Sequence, residues 1–328
     1  MNVLGIESTA HTFGIGIASD KGDIIFNENS IYVPITGGIH PREAAEHHSK
    51  VASNILFLLR KKGIDIASDI DGIAVALGPG MGPCLRVGAT LARFLAIRYS
   101  KPLIPVNHAV AHVEIARLST GFKDPLVLYI AGGNTMITTY VEGRYRIFGE
   151  TLDIPLGNCI DTFAREIGLS MPGVPKVEGL AEKGNKFINL PYTVKGQDLS
   201  FSGLLTAAIS AYKKGFSVND VAYSLIEVAY SMVVEVTERA LSHTGKKEIT
   251  LTGGVARSKK LISKLKTMSE LHDVEFKPVD PRYAGDNGAM IAYTGALALR
   301  AGIKIEIEES FIRPMWRIDE VDIVWFDD

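Results

Sequence analysis

The chain has 328 residues, of which 46% are hydrophobic and 22% are charged, and its formal net charge at pH 7 is −2. This length predicts two domains or lobes, and the composition excludes a globally disordered chain. A dedicated nucleic-acid binder is usually basic overall, so an RNA substrate would require a local basic patch or a partner that supplies positive charge.

Cysteine usage and the first residues indicate the cellular location. The two cysteines, Cys84 and Cys159, lie far apart in sequence, which is typical of a reduced cytoplasmic protein rather than of a disulfide framework. The opening MNVLGIEST lacks a basic segment and carries Glu7 within its first apolar run, so it predicts a strand rather than a signal peptide. No apolar stretch reaches membrane-spanning length. We therefore expect a soluble, cytoplasmic protein without membrane association.

The first third of the chain predicts a strand meander followed by alternating helices and strands. Apolar runs separated by polar or glycine-containing turns indicate three antiparallel strands at Val3–Ile6, Phe13–Ala18 and Ile24–Glu28. The predicted elements that follow are a helix at His40–Lys62, a buried strand at Gly72–Leu77, a helix at Leu85–Tyr99 and a strand at Pro102–Val106.

The pattern then restarts. Leu126–Ile130, Met136–Val141 and Arg144–Glu150 repeat the three-strand meander. The later predicted elements are helical segments at Asn158–Gly184, Ser202–Lys214, Val221–His243 and Asp286–Arg300, and strands at Glu248–Leu251 and Glu275–Pro278. The aromatic and acidic tail, Phe311–Asp328, is expected to pack back on one lobe.

Two meanders, each followed by helices and further strands, predict a duplicated α/β fold with two lobes around a central cleft, as in actin, sugar kinases and the Hsp70 ATPase domain. We place the first lobe at residues 1–107, completed by about 303–328. The second lobe would span residues 108–302, with a helical insertion at about 155–215.

His108 and His112, in the run NHAVAH, predict a metal site. Spacing of i and i+4 puts both imidazoles on one face of a helix, although two ordinary buried histidines would show the same spacing. The zinc-hydrolase pattern H-E-x-x-H places a general base after its first histidine, and Ala109 stands there instead. A third ligand should be an oxygen donor, and Asp286 is a candidate that could equally cap the helix it precedes.

Glycine turns at strand ends form a second set of candidate residues. Backbone amides in the run from Tyr129 to Thr135 and in Thr252–Val255 could approach a phosphate because glycine carries no Cβ. Either run could also be a plain turn. The loop GPGMGP at 78–83 is not a P-loop, because prolines remove donors and no Lys-Ser/Thr pair follows. An acid such as Glu7, at the first strand end, handles metal or phosphate in kinases of this fold.

Eight motifs in order resemble one family. They are GIESTAHTFGIGI, GPGMGPCLRVG, NHAVAH, GGNT, GNCIDTFAREIGL, DLSFSGLLTAA, TGGVA and DNGAMIA. Together they resemble the TsaD family, formerly called Gcp, in its archaeal and eukaryotic branch that works in the KEOPS complex. The resemblance runs from about Val3 to Arg300. It implies the actin/Hsp70-like fold and transfer of a threonylcarbamoyl group from threonylcarbamoyl-AMP to N6 of the adenosine 3′ of the anticodon, in tRNAs that read codons starting with A.

The resemblance also implies site residues, a cofactor and partners. His108, His112 and Asp286 would hold one divalent metal ion, with iron favoured and zinc as the alternative, and Tyr129 would lie on or beside it. The residues implied to line the acyl-adenylate are Tyr129, Ile130, Ala131, Gly132 and Gly133, and those implied to bind its ribose or adenine side are Asp161 and Glu178. The implied partners are tRNA, an atypical small kinase and small KEOPS subunits. No catalytic residue is assigned.

Two positions depart from the family pattern. Val174 replaces the second glycine of PGGPKVE, and Ser258 replaces the asparagine of GGVAAN. Serine keeps a donor and an acceptor but reaches less far than asparagine. These departures favour one alternative hypothesis, a non-catalytic ATP-binding scaffold. Two others stay open: a metallopeptidase, from the spacing of the histidines, and a phosphotransferase of the same fold, from the glycine turns.

Overall fold

Strands and helices alternate along the chain much as the apolar pattern predicts. The computed structural model describes residues 1–34 and 37–326. Its strands are β1 (Asn2–Glu7), β2 (Thr12–Ser19), β3 (Ile24–Ile31), β4 (Gly72–Gly78), β5 (Leu103–Asn107), β6 (Leu126–Ile130), β7 (Thr135–Val141), β8 (Arg144–Glu150), β9 (Val194–Lys195), β10 (Asp198–Leu199), β11 (Glu248–Thr252) and β12 (Glu275–Pro278). Its α-helices are α1 (Pro41–Lys61), α2 (Ile66–Asp69), α3 (Gly82–Tyr99), α4 (His108–Thr120), α5 (Leu156–Glu166), α6 (Val174–Ala181), α7 (Ser202–Lys213), α8 (Val218–Thr244), α9 (Lys259–Leu271) and α10 (Gly288–Arg300).

The two large sheets have the same strand order. The first runs β3-β2-β1-β4-β5, with antiparallel β1–β2 and β2–β3 pairs and parallel β1–β4 and β4–β5 pairs. The second runs β8-β7-β6-β11-β12, with an antiparallel β6–β7 pair and parallel β6–β11 and β11–β12 pairs. Each sheet thus joins a meander to two parallel strands, which confirms the predicted duplication.

Helix α10 lies directly against the first sheet. A Cβ added at Gly5 of β1 would be 2.1 Å from the backbone nitrogen of Ala292, and one at Gly16 of β2 would be 2.3 Å from that of Ala289. Only a residue without a side chain lets a helix backbone come this close to a strand. These contacts fix the start of α10, and therefore the place of Asp286 just before it.

Contacts divide the chain into two units. The first comprises Met1–Leu118, Val141–Tyr145 and Asp286–Asp328, and the second comprises Ser119–Tyr140 and Arg146–Gly285. This division differs from the lobe boundaries placed at 107/108 and 302/303, because α10 packs on β1, β2 and β4 of the first sheet. The segment at about 155–215 contains α5, α6, α7 and the short β9–β10 pair.

Some predicted elements change in detail. The helical segment predicted at Asn158–Gly184 is two helices, because α5 ends at Glu166 and α6 starts only at Val174, after Pro172. Helix α10 is capped by Asn287, whose side chain accepts a hydrogen bond from the backbone of Met290 at 3.0 Å, so Asp286 is not the cap. Among residues 1–34 and 37–326, no helix has the length and apolar character needed to cross a membrane.

The described part of the C-terminal tail packs on the rest of the first unit at several points, as expected. Arg313 donates its backbone N–H to Leu77 at 2.7 Å, and Gly80 donates to the carbonyl of Pro314 at 3.1 Å. The side chains of Ile318, Ile323 and Trp325 are buried. Residues 327 and 328 lie outside the described part of the chain.

Candidate functional site

His108 and His112 lie on one face of the first turns of α4. Both are buried, and their ring centroids are 4.7 Å apart. Asn107 caps the helix, since its Oδ1 accepts hydrogen bonds from the backbone nitrogens of Ala109 at 2.9 Å and Val110 at 3.2 Å. The helix therefore starts at His108, directly after its cap.

Asp286 faces both imidazoles. Its Oδ1 lies 3.1 Å from Nε2 of His112 and 3.6 Å from Nε2 of His108. One ligand atom from each of the three residues lies within 4.8 Å of the others. Two imidazole nitrogens and a carboxylate oxygen are a donor set used by iron and zinc sites, so these residues fit a divalent metal ion.

Glu7 orients His108 from behind. Its Oε2 lies 2.9 Å from Nδ1 of His108, and its Oε1 accepts hydrogen bonds from the backbone and hydroxyl of Thr9 at 2.6 and 2.5 Å. A carboxylate on Nδ1 keeps the proton there and directs Nε2 towards a metal ion. Sequence reasoning placed Glu7 at a strand end near metal or phosphate but did not find its contact with His108.

Opposing effects set the pKa values of this cluster. Burial lowers the pKa of His108, but the charges of Glu7 and Asp286 outweigh it and raise the pKa to about 9. Burial lowers the pKa of His112. Burial alone would raise the pKa of Asp286, yet the hydrogen bond from His112 and the charge of His108 bring it below its usual value. The carboxylates that favour a proton on His108 also favour a metal cation beside it.

In the second unit, the predicted glycine turn follows β6. Tyr129 and Ile130 are buried, whereas Gly132 and Gly133 are exposed. The backbone N–H of Ala131 donates to the carbonyl of Asn134 at 2.8 Å, which closes the turn. A Cβ added at either glycine would meet no atom within 4 Å, so neither glycine is required by internal packing. Their backbone is accessible to a ligand.

A second glycine turn lies beside the first. Gly253 follows β11, the parallel neighbour of β6, and has a φ of +93°. A Cβ there would be 2.4 Å from the carbonyl oxygen of Ile130, so this position requires glycine on both conformational and steric grounds. The two glycine turns that the sequence analysis selected as candidates are therefore adjacent at the carboxyl edge of one sheet.

Asp161 and Glu178 each have one carboxylate oxygen fixed by the protein. Oδ1 of Asp161 accepts a hydrogen bond from the backbone of Gly173 at 2.7 Å. Oε1 of Glu178 accepts hydrogen bonds from the hydroxyl of Tyr230 at 2.6 Å and from the hydroxyl of Ser258. Ser258 thus contacts a predicted ligand-binding acid, and it also caps α9 through the backbone of Leu261 at 3.1 Å.

Asp153, which the sequence analysis did not single out, holds the segment DLSFSGL, residues 198–204, through hydrogen bonds. Asp153 accepts hydrogen bonds from the hydroxyls of Ser200 at 2.6 Å and Ser202 at 2.5 Å, and from the backbone of Phe201 at 2.9 Å. The acid therefore stabilises the entry into α7, while the two serines act as donors to it rather than as the helix cap.

The predicted site residues fall in two groups. His108, His112 and Asp286 belong to the first unit. The others belong to the second unit: Tyr129, Ile130, Ala131, Gly132, Gly133, Asp161 and Glu178. The hydroxyl of Tyr129 accepts a hydrogen bond from the side chain of Asn134 at 3.4 Å, and its role as a metal ligand remains a prediction.

Comparison with known proteins identifies relatives along the whole chain. The family model described as "TsaD: tRNA N6-adenosine threonylcarbamoyltransferase" matches residues 23–293. A protein of that name from Thermofilum pendens is 64% identical over 327 residues, which cover 99% of this chain and 97% of the relative. One from Caldivirga maquilingensis is 55% identical over 99% of this chain and 98% of its own length.

Solved structures resemble the fold at low sequence identity. HypF from T. kodakarensis matches with a TM-score of 0.65 and 17% identity, over 92% of this chain and 48% of that chain. A ROK family protein from Streptococcus pneumoniae matches with a TM-score of 0.54 and 11% identity, over 92% and 99% of the two chains. These likenesses concern the fold alone and confirm the predicted actin/Hsp70/sugar-kinase-like class.

Proposed function

The chain belongs to the TsaD family of enzymes, the tRNA N6-adenosine threonylcarbamoyltransferases, and we propose that it takes the threonylcarbamoyl group from threonylcarbamoyl-AMP. The acceptor would be N6 of the adenosine 3′ of the anticodon in tRNAs that read codons starting with A. The observation that carries a metal-assisted reaction is the placement of Nε2 of His112 and Nε2 of His108 at 3.1 and 3.6 Å from Asp286.

His108, His112 and Asp286 would hold the ion, with iron favoured and zinc as the alternative, and Tyr129 would lie on or beside it. A divalent ion there would act as a Lewis acid on an oxygen of the already activated carbamoyl group. Glu7 would keep the proton of His108 on Nδ1, so that Nε2 stays available as a ligand.

The second unit would bind the adenylate. The exposed backbone at Gly132 and Gly133 would approach the phosphate, together with Tyr129, Ile130 and Ala131. Asp161 and Glu178 would accept hydrogen bonds from the ribose or adenine side, because a carboxylate has two acceptor oxygens. No strong base is required of the enzyme when the acyl donor is a mixed anhydride with AMP as the leaving group.

We further propose that the enzyme works in the cytoplasm within a KEOPS-type complex that contains an atypical small kinase and other small subunits. Its net charge of −2 supports this assembly, because binding tRNA requires positive charge that partners can supply.

The decisive experiment is reconstitution of the reaction. The protein is mixed with tRNA, threonine, bicarbonate, ATP, a threonylcarbamoyl-AMP synthase and the partner subunits, and the tRNA nucleosides are analysed by mass spectrometry. We expect the modified adenosine from the unaltered chain, none from His112→Ala, and full yield from His272→Ala, a histidine in the second unit outside the site. Absence of product with a partner set that activates a known relative would refute the proposal.

The metallopeptidase hypothesis requires a general base that this helix does not provide at the expected position. Ala109 is buried at the position where H-E-x-x-H enzymes carry their glutamate. Glu114, the nearest acid along the same helix, is already hydrogen-bonded to Tyr145 and Trp325. Casein cleavage by the metal-loaded protein that disappears in His112→Ala would favour the peptidase instead.

A further inference from the structure

The C-terminal segment, residues 310–326, contacts the helix that carries both histidine ligands. We propose that this segment is a positioning element for the metal site. By holding α4 from behind, it would set the placement of His108 and His112 and so the affinity for the ion. The inference rests on the proposed function only in requiring that His108, His112 and Asp286 bind a metal ion.

The first anchor is Asn107, which is buried immediately before His108. While its Oδ1 caps α4, its Nδ2 donates hydrogen bonds to the carbonyls of Trp316 at 3.1 Å and Arg317 at 3.3 Å. One amide thus joins the start of the ligand helix to the tail. A shift of the tail at this point would be transmitted to the residue next to the first ligand.

The second anchor is Glu114, a carboxylate that is 1% exposed. Its Oε1 accepts hydrogen bonds from the indole N–H of Trp325 at 3.0 Å and the hydroxyl of Tyr145 at 2.7 Å. Its Oε2 pairs with Arg117 at 2.9 Å. A buried carboxylate is stable only when its oxygens have donors, so the tail indole contributes directly to holding this helix.

The third anchor is Arg117, whose guanidinium carbon lies 4.0 Å from the centre of the Phe326 ring. With about 100° of rotation per residue, Glu114 and Arg117 lie on the side of α4 opposite to His108 and His112. The tail therefore supports the back of the helix while the ligands face Asp286.

Between these anchors the tail is not closely packed. A cavity of about 90 Å³ is lined by Val110 of α4, Thr294 and Ala298 of α10, and Trp316 and Trp325 of the tail. Residues 108–116 of α4 are buried, and the cavity is the local exception to this packing. Loss of one anchor would leave α4 next to this space, into which the helix could shift.

Metal binding is sensitive to such shifts. Residues that orient metal ligands change metal affinity by roughly 10- to 100-fold when they are mutated. We therefore expect variants that break an anchor but keep its packing to weaken metal binding by about tenfold.

Two conservative variants test this in the full chain. Trp325→Phe removes the indole donor and keeps an aromatic ring. Asn107→Asp keeps the helix cap through Oδ1 and removes the donors to the tail. Val324→Ala, at an exposed position of the same segment, is the control. The dissociation constant for Co²⁺ is measured by competition with a chelator, with the visible absorption of the bound ion as a measure of ligand geometry.

We expect both anchor variants to bind Co²⁺ about tenfold more weakly, with an altered absorption band, and Val324→Ala to match the unaltered chain. If both variants fold and bind Co²⁺ with an affinity within twofold of the original, the tail does not position the metal site, and this inference is overturned while the metal site itself stands. A lower melting temperature of the metal-free protein would not change that conclusion. If either variant fails to fold, the other decides. Failure of the unaltered chain to bind Co²⁺, or binding that persists in His112→Ala, would overturn the metal site as well.

Discussion

Glu7 and His108 are 101 positions apart in sequence, yet a carboxylate oxygen of the first lies 2.9 Å from Nδ1 of the second. This contact joins the end of β1 to the start of α4, and it leaves Nε2 of His108 facing Asp286.

We expect Glu7→Gln to weaken metal binding by roughly 10- to 100-fold, because the amide no longer supplies the charge that holds the proton on Nδ1. Chelator competition with Zn²⁺ measures the change. Glu28→Gln, a half-buried acid of the same sheet that pairs with Lys62, should leave affinity unchanged. Equal affinities for the Glu7 variant and the control would show that Glu7 does not orient the ligand.

Nucleotide binding should depend on the two hydroxyls that fix Glu178. Tyr230→Phe and Ser258→Ala are each expected to lower affinity for AMP about tenfold, since a hydrogen bond to a charged group contributes about 1.5 kcal/mol or more. Isothermal titration calorimetry measures the affinity. Ser258→Thr keeps the hydroxyl and the helix cap and should restore binding, while Ser263→Ala, exposed on the same helix, serves as control. Unchanged affinity in both hydroxyl-deleting variants would contradict the role given to Glu178.

The close approach of α10 to the first sheet should make Gly16 intolerant of a side chain. Gly16→Ala would place a Cβ 2.3 Å from the backbone nitrogen of Ala289, and we expect destabilisation of about 3 kcal/mol or more. Because Asp286 directly precedes this helix, the variant should also retain less metal after gel filtration.

The matched control for that substitution is Gly203→Ala in α7, where an added Cβ meets no atom within 4 Å. Alanine is favoured over glycine within helices, so this variant should be at least as stable as the original. Thermal unfolding compares the two variants. Equal melting temperatures would refute the steric argument.

His48 should make stability dependent on pH. Burial lowers its pKa to about 4, and its Nε2 donates to the carbonyl of Ala10 at 3.0 Å. Nδ1 of His47 lies 3.4 Å from Nδ1 of His48, and the charges of Glu7 and His11 also act on this ring. His48 takes up a proton near pH 6.5 in the unfolded chain but only near pH 4 in the folded chain. The stability that neutral His48 contributes is therefore complete above pH 6.5 and is lost as the pH falls towards 4.

The loss amounts to at most about 3 kcal/mol. His48→Gln should show a shallower decrease in the free energy of unfolding between pH 6.5 and 4, measured by urea denaturation. His243→Gln, at an exposed histidine, should follow the original pH dependence. A variant at His48 with an unchanged slope would contradict this assignment.

Periodicity and turn residues predicted most of the fold, because the central strands of both large sheets and most helices bury apolar residues that the spacing reveals. The i, i+4 spacing likewise placed His108 and His112 on one helix face. Spacing along the chain cannot report contacts between distant segments, so Glu7 beside His108 and Ser258 beside Glu178 were visible only in three dimensions. For the same reason the double role of Asn107 was missed.

The unit that holds the three proposed metal ligands is discontinuous in the chain, since its first part ends at Leu118 and its last part begins at Asp286. During synthesis, the two histidines leave the ribosome long before the carboxylate that completes their donor set. A nascent chain that stops within the second unit therefore carries two imidazoles without their third partner. Binding of the proposed ion would thereby be tied to the final stage of translation, and truncated products would lack the complete donor set.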